Sequence, residues 1–148
     1  MKSKMLYESD FYHWTVEQVE SLRLGKFHEL DLENLAEEIE SLGNQQRSEL
    51  ENRLAVLLGH LLKWDLQLNL RGKSWRSTIR EQRRAIQKLI KKNPSLKSYL
   101  DEAMIDSYES ALDLVVRETP FDYKDLPKHC PYGISQVLDN NFPAGMEI

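Results

Sequence analysis

The sequence contains little that could cross-link, anchor or sharply bend a chain, and each shortage excludes a class. A single cysteine, Cys130, stands among 148 residues, so no internal disulfide framework is available. No stretch combines a basic start, an apolar run and a small-residue cleavage site, so the expected compartment is cytoplasmic. The longest apolar run, residues 54–62, is interrupted by His60 and falls well short of the roughly 18 residues that a membrane-spanning helix requires. Only six glycines are present, in neither a dinucleotide-binding nor a P-loop arrangement. No Gly-x-Ser-x-Gly elbow is available to carry a serine nucleophile.

Excess charge of one sign is also missing, with 20 basic and 24 acidic residues giving a net charge of -4. That near-neutrality is a cancellation between blocks. Residues 8–51 hold twelve acids and three bases, residues 71–97 ten bases and one acid, and residues 98–148 ten acids and three bases. With 41% hydrophobic and 30% charged residues, the chain has an ordinary globular composition. Its length suits one domain, long enough to bury a core without metals or disulfides.

Helical periodicity dominates the pattern. Asp10 caps a first helix with Trp14, Val19 and Leu22 near one face, and Gly25 stops it. Asp31 caps a second. The stripe Leu32, Ile39, Leu50, Leu54, Leu57, Leu61, Trp64 and Leu68 keeps its phase at about 100° per residue. One long helix over about 31–69 is therefore expected, although Gly43-Asn44 is also a reasonable helix end. If the helix is continuous, Gly43 lies on the buried stripe, where its missing side chain would admit another backbone. Residues 54–62 are apolar all round, which marks the central, most enclosed element.

Ser74 is the expected cap of a third helix carrying Trp75, Ile79, Ile86, Leu89 and Ile90. Asn93-Pro94 ends it and starts a fourth helix that runs to Thr119. The tail holds four prolines with Phe121, Tyr123, Tyr132 and Phe142. It reads as an ordered loop laid on the bundle around one short helix near 134–138. The fold expected is all-α: a single-domain bundle of about four main helices with this proline-rich, aromatic tail.

Candidate chemistry is sparse. The paired Glu-x-x-His motifs of a di-iron bundle are absent, and His60 lies among leucines as a hydrogen-bonded core histidine, so no metal or other cofactor is expected. His129-Cys130-Pro131 invites a thiolate reading, but adjacent residues seldom meet in the required geometry, which favours a structural thiol. Glu33, Glu37 and Glu40 turn away from the apolar stripe as a solvated face. The feature that stands out is the third helix. Arg76, Arg80, Arg83, Arg84, Lys88 and Lys91 fall within an arc of about 140°, opposite the apolar side. As a binding surface this arc could engage phosphates. As a structural device it would lie beside the acidic blocks, which is the favoured reading because ion pairs, though weak singly, can select helix neighbours.

Six stretches carry a family resemblance: YESDFYHW from Tyr7, LDLENLAEEIESLG from Leu30, LLGHLLKW from Leu57, SWRSTIREQR from Ser74, NPSLKSYL from Asn93 and CPYGISQVL from Cys130. The chain resembles a bacterial family abundant in cyanobacteria, domain of unknown function 29. The resemblance implies an all-helical domain and brings no activity, cofactor or catalytic residue.

The leading expectation is a non-catalytic protein-interaction or adaptor module working through the third helix and the aromatic tail. The alternative is nucleic-acid binding by the basic face, and an enzyme using His60, His129 or Cys130 comes third. No membrane partner is expected, and a homodimer is open.

Overall fold

Residues 2–146 are described in a computed structural model, with side chains from Met5 onward. Among them are six α-helices and no strand: α1 (Lys2–Ser9), α2 (Phe11–Arg23), α3 (Leu32–Leu66), α4 (Lys73–Lys92), α5 (Leu100–Glu118) and α6 (Ile134–Val137). α2 to α5 are the four main helices and α6 is the short helix of the tail, so the all-α expectation holds. α1 was not anticipated.

The caps explain the helix starts. The Asp10 carboxylate accepts from the His13 amide at 3.1 Å, satisfying an otherwise orphaned donor of α2. Gly25, at φ +72, adopts the left-handed conformation just beyond the helix end. Asp31 accepts from the amides of Asn34, main chain and side chain. α4 departs from expectation, because it begins at Lys73 behind Gly72 with no side-chain cap, and Ser74 lies inside it. Asn93 also differs: its side-chain amide donates to Leu89 O at 3.0 Å and closes α4, while the chain beyond starts as a 3-10 turn, Pro94–Tyr99, before α5.

α3 is one helix through Gly43, as its unbroken phase predicted. The chain divides into two compact units, residues 1–45 and 46–148. In the first, Tyr7, Phe11 and Trp14 stack edge-on and in parallel at 4.8–5.6 Å between ring centres. The buried Trp14 indole donates to Asp31 at 3.1 Å, and Gln18 accepts from the Asp31 amide at 2.8 Å. Trp14, Gln18 and Asp31 are the unit's buried residues among those described. The expected face of Trp14, Val19 and Leu22 is therefore split: Trp14 is buried while Val19 and Leu22 stay exposed. Leu32, Ile39 and Leu42 are likewise 60–68% exposed instead of belonging to the core.

The second unit holds the main core. Leu50, Leu54, Leu57, Leu58, Leu61 and Leu62 of α3 are sealed by Ile79 and Ile86 of α4 and by Ala103, Ala111 and Val115 of α5. Burying each large aliphatic side chain stabilises the fold by about 1.5–3 kcal/mol. At Gly59 α5 packs closely on α3. A Cβ there would stand 2.9 Å from Leu114 Cδ2 and 3.5 Å from the Ala111 carbonyl. Three of the four tail aromatics face inward: Tyr132 is buried, and Phe121 and Phe142 pack on the same core, whereas Tyr123 is exposed.

Candidate interaction surface

α4 separates its two faces cleanly, with Ile79, Ile86, Leu89 and Ile90 buried and Arg80, Arg84, Lys88 and Lys91 exposed. The exposed cations recur every three or four residues, so they line up along one side of the helix. Arg76 is half-buried at the edge of this stripe. Lys73, Arg76, Arg80 and Arg84 line an open hollow of about 420 Å³, with Glu81 and Ser77 among them and Met146 as its apolar member.

Arg83 is a correction. It is completely buried, so it does not belong to the basic face. Its Nε donates to Val137 O at 2.7 Å and its Nη2 to Gln136 O at 3.3 Å, closing the carbonyl end of α6. Its Nη1 has no hydrogen-bond partner among the described residues. Burial pushes the guanidinium below its ordinary pKa, a shift opposed by Asp139. The helical wheel carries the signal, since Arg83 lies about 20° from Ile90, on the apolar edge of the arc.

The close ion pairs that the structural reading would use are not formed by the exposed basic face among the described residues. Among the described residues no carboxylate lies within 4.0 Å of a cationic nitrogen of Arg76, Arg80, Arg84, Lys88 or Lys91. The ion pairs of this unit lie elsewhere: Glu49 with Arg53, Glu102 with Arg47, and Glu118 with Lys63.

Most of the remaining reactive groups are engaged structurally, and His129 is exposed. His60 Nδ1 contacts Val56 O at 2.9 Å, and burial pushes its pKa down. Nearby, the buried Lys63 donates to Glu118 at 2.8 Å beneath the Trp75 ring, and this hydrogen bond holds the Glu118 carboxyl below its usual range. Sequence reasoning missed that pair, because a lysine on an all-round apolar helix announces no partner 55 residues away. The Cys130 thiol is half-buried against Tyr132 O, and burial pushes its pKa up, away from thiolate chemistry. The Tyr132 hydroxyl bonds to Asp65. Among the described residues no three His, Cys, Asp or Glu side chains converge as a metal set, and no helix is long and apolar enough to cross a membrane.

No curated protein and no solved structure gives a significant match to the chain. A family model does, over residues 6–143, which takes in α2 to α6 and the hollow's cationic wall. On that match the chain belongs to the family described as Domain of unknown function DUF29.

Proposed function

We propose that this chain is a non-catalytic interaction module whose α4 stripe, Arg76, Arg80, Arg84, Lys88 and Lys91, docks an acidic protein surface. The observation carrying the reading is that these cations have no carboxylate within 4.0 Å among the described residues. Their charge is therefore available to a partner. Arginine suits the role because its planar fork pairs bidentately with carboxylates. Most of the aromatic tail belongs to the fold instead, since Phe121, Tyr132 and Phe142 pack on the core.

Nucleic acid is the second reading, favoured by the regular alignment of unpaired cations along one helix. It would be backbone binding, with a salt slope of about -0.9 per phosphate neutralised on a duplex. The experiment is fluorescence anisotropy with a labelled acidic peptide, a single-stranded oligonucleotide and a duplex, for the parent and Arg80→Glu/Arg84→Glu. Binding of the peptide alone, lost on charge reversal, supports the adaptor reading. Binding of an oligonucleotide with a steep salt slope replaces it with the second, and binding of none removes both.

A further inference from the structure

The hollow along the first half of α4 is built almost entirely of hydrogen-bond donors. Lys73, Arg76, Arg80 and Arg84 line it with one acid, Glu81, so it presents a net of three positive charges. At about 100° and 1.5 Å per residue, these cations fall within an arc of about 80° and span about 16.5 Å along the helix. Among the described residues, none of them makes an ion pair or hydrogen bond through its side chain. Each arginine carries five N–H donors and no acceptor, and the lysine adds three more donors. The Ser77 hydroxyl also lines the hollow. Lys73 is the first residue of α4, whose N-terminus has no side-chain cap, so the helix dipole adds positive field at that end. The volume, about 420 Å³, is that of a small-molecule site, and such sites are mostly apolar. This one is not. Among the described residues no aromatic ring lines it, and its Met146 is only 2% exposed.

We infer that the hollow binds a small anion of two or three linked phosphates. Such a ligand offers acceptors to a wall of donors, and its charge and length match the row. A single phosphate monoester, at about -1.5 to -2 near pH 7, would leave part of the charge and most of the row unmatched. Arginine forks also take carboxylates, but linked phosphates place more acceptor oxygens along the same length. Because the hollow exposes almost nothing apolar, recognition falls on the phosphates themselves. Glu81 is the one group that opposes them, by repulsion. The site does not depend on protein docking. Lys73 lies in the hollow and outside the docking stripe, whereas Lys88 and Lys91 lie in the stripe and outside the hollow, so substitutions separate the two.

The test is isothermal titration calorimetry of the full chain at low salt, without divalent cations, using pyrophosphate, tripolyphosphate, orthophosphate, citrate and ADP. One site per chain is expected, taking pyrophosphate or tripolyphosphate at least tenfold more tightly than orthophosphate or citrate. Arg80→Ala/Arg84→Ala should weaken it at least tenfold and Lys73→Ala should weaken it severalfold. Glu81→Gln should tighten it, and Lys88→Ala/Lys91→Ala should leave it unchanged. All of these side chains are exposed, so the variants should fold, which circular dichroism checks. Binding of an acidic peptide should respond in the reverse sense, weakened by Lys88→Ala/Lys91→Ala and indifferent to Lys73→Ala, so the two proposals fail separately. ADP matching pyrophosphate points to a free phosphate chain and ADP binding more tightly to a nucleotide, and either supports the site. Three outcomes overturn the inference: no binding of either oligophosphate, citrate bound as tightly, or several ions per chain. Loss of affinity in Lys88→Ala/Lys91→Ala, as an extended nucleic-acid backbone would show, overturns it as well.

Discussion

Arg83 and Arg84 are neighbours in sequence with opposite fates, and they set the residue-scale expectations. Arg83 is buried and supplies two hydrogen bonds to carbonyls at the end of α6. Arg83→Ala should lower stability by about 2–4 kcal/mol, because it strands buried carbonyls and opens a cavity. Arg84→Ala should stay within about 0.5 kcal/mol. Urea denaturation of the two variants decides this, and equal effects would refute the assignment of Arg83 to the fold.

The pH dependence belongs to this scale as well. His60 and Glu118 both have depressed pKa values in the folded chain, so each contributes stability that is present above its unfolded pKa and lost as pH falls through the folded one. The decline should begin below about 6.5 for His60 and below about 4.5 for Glu118. In thermal melts from pH 7 to 4, His60→Gln should remove the first decline. Glu118→Gln should lower stability near neutrality and flatten the second, and an unchanged profile in both would show that neither group is coupled to folding.

At the scale of elements, α3 is informative because one periodic pattern produced two outcomes. Its phase and its continuity through Gly43 were legible in the sequence, as was the enclosure of residues 54–62. The exposure of Leu32, Ile39 and Leu42 was not. Periodicity reports that a face is apolar, whereas burial depends on another element arriving there, and from Leu50 onward α4 and α5 supply that cover. The two glycines of α3 separate the same way. Gly59→Leu should destabilise the protein by about 1–3 kcal/mol in chemical denaturation, because its side chain enters the contact with Leu114 and Ala111. Gly43→Leu should leave folding intact. If Gly59→Leu were equally silent, the close approach of α5 to α3 at that point would be wrong.

At the scale of the whole molecule, the α4 stripe sets the expected response to salt. Docking of an acidic protein on the α4 stripe should weaken as ionic strength rises, since surface charges more than a Debye length apart are screened. Measuring the affinity for an acidic peptide over a salt series tests the proposal, and an affinity indifferent to salt would refute it.

The sequence by itself determined the helical class, the four main helices and their approximate spans, the aromatic tail with its short helix, and the segregation of charge beneath a net of -4. These follow from local periodicity, caps and composition. Only the tertiary structure decided how the charges are engaged: Arg83 turned inward to α6, Lys63 met Glu118, and the rest of the α4 arc was left without an ion pair within 4.0 Å among the described residues. Partners distant in the chain are fixed by packing, and a helical wheel records the direction of a side chain without recording what stands opposite it.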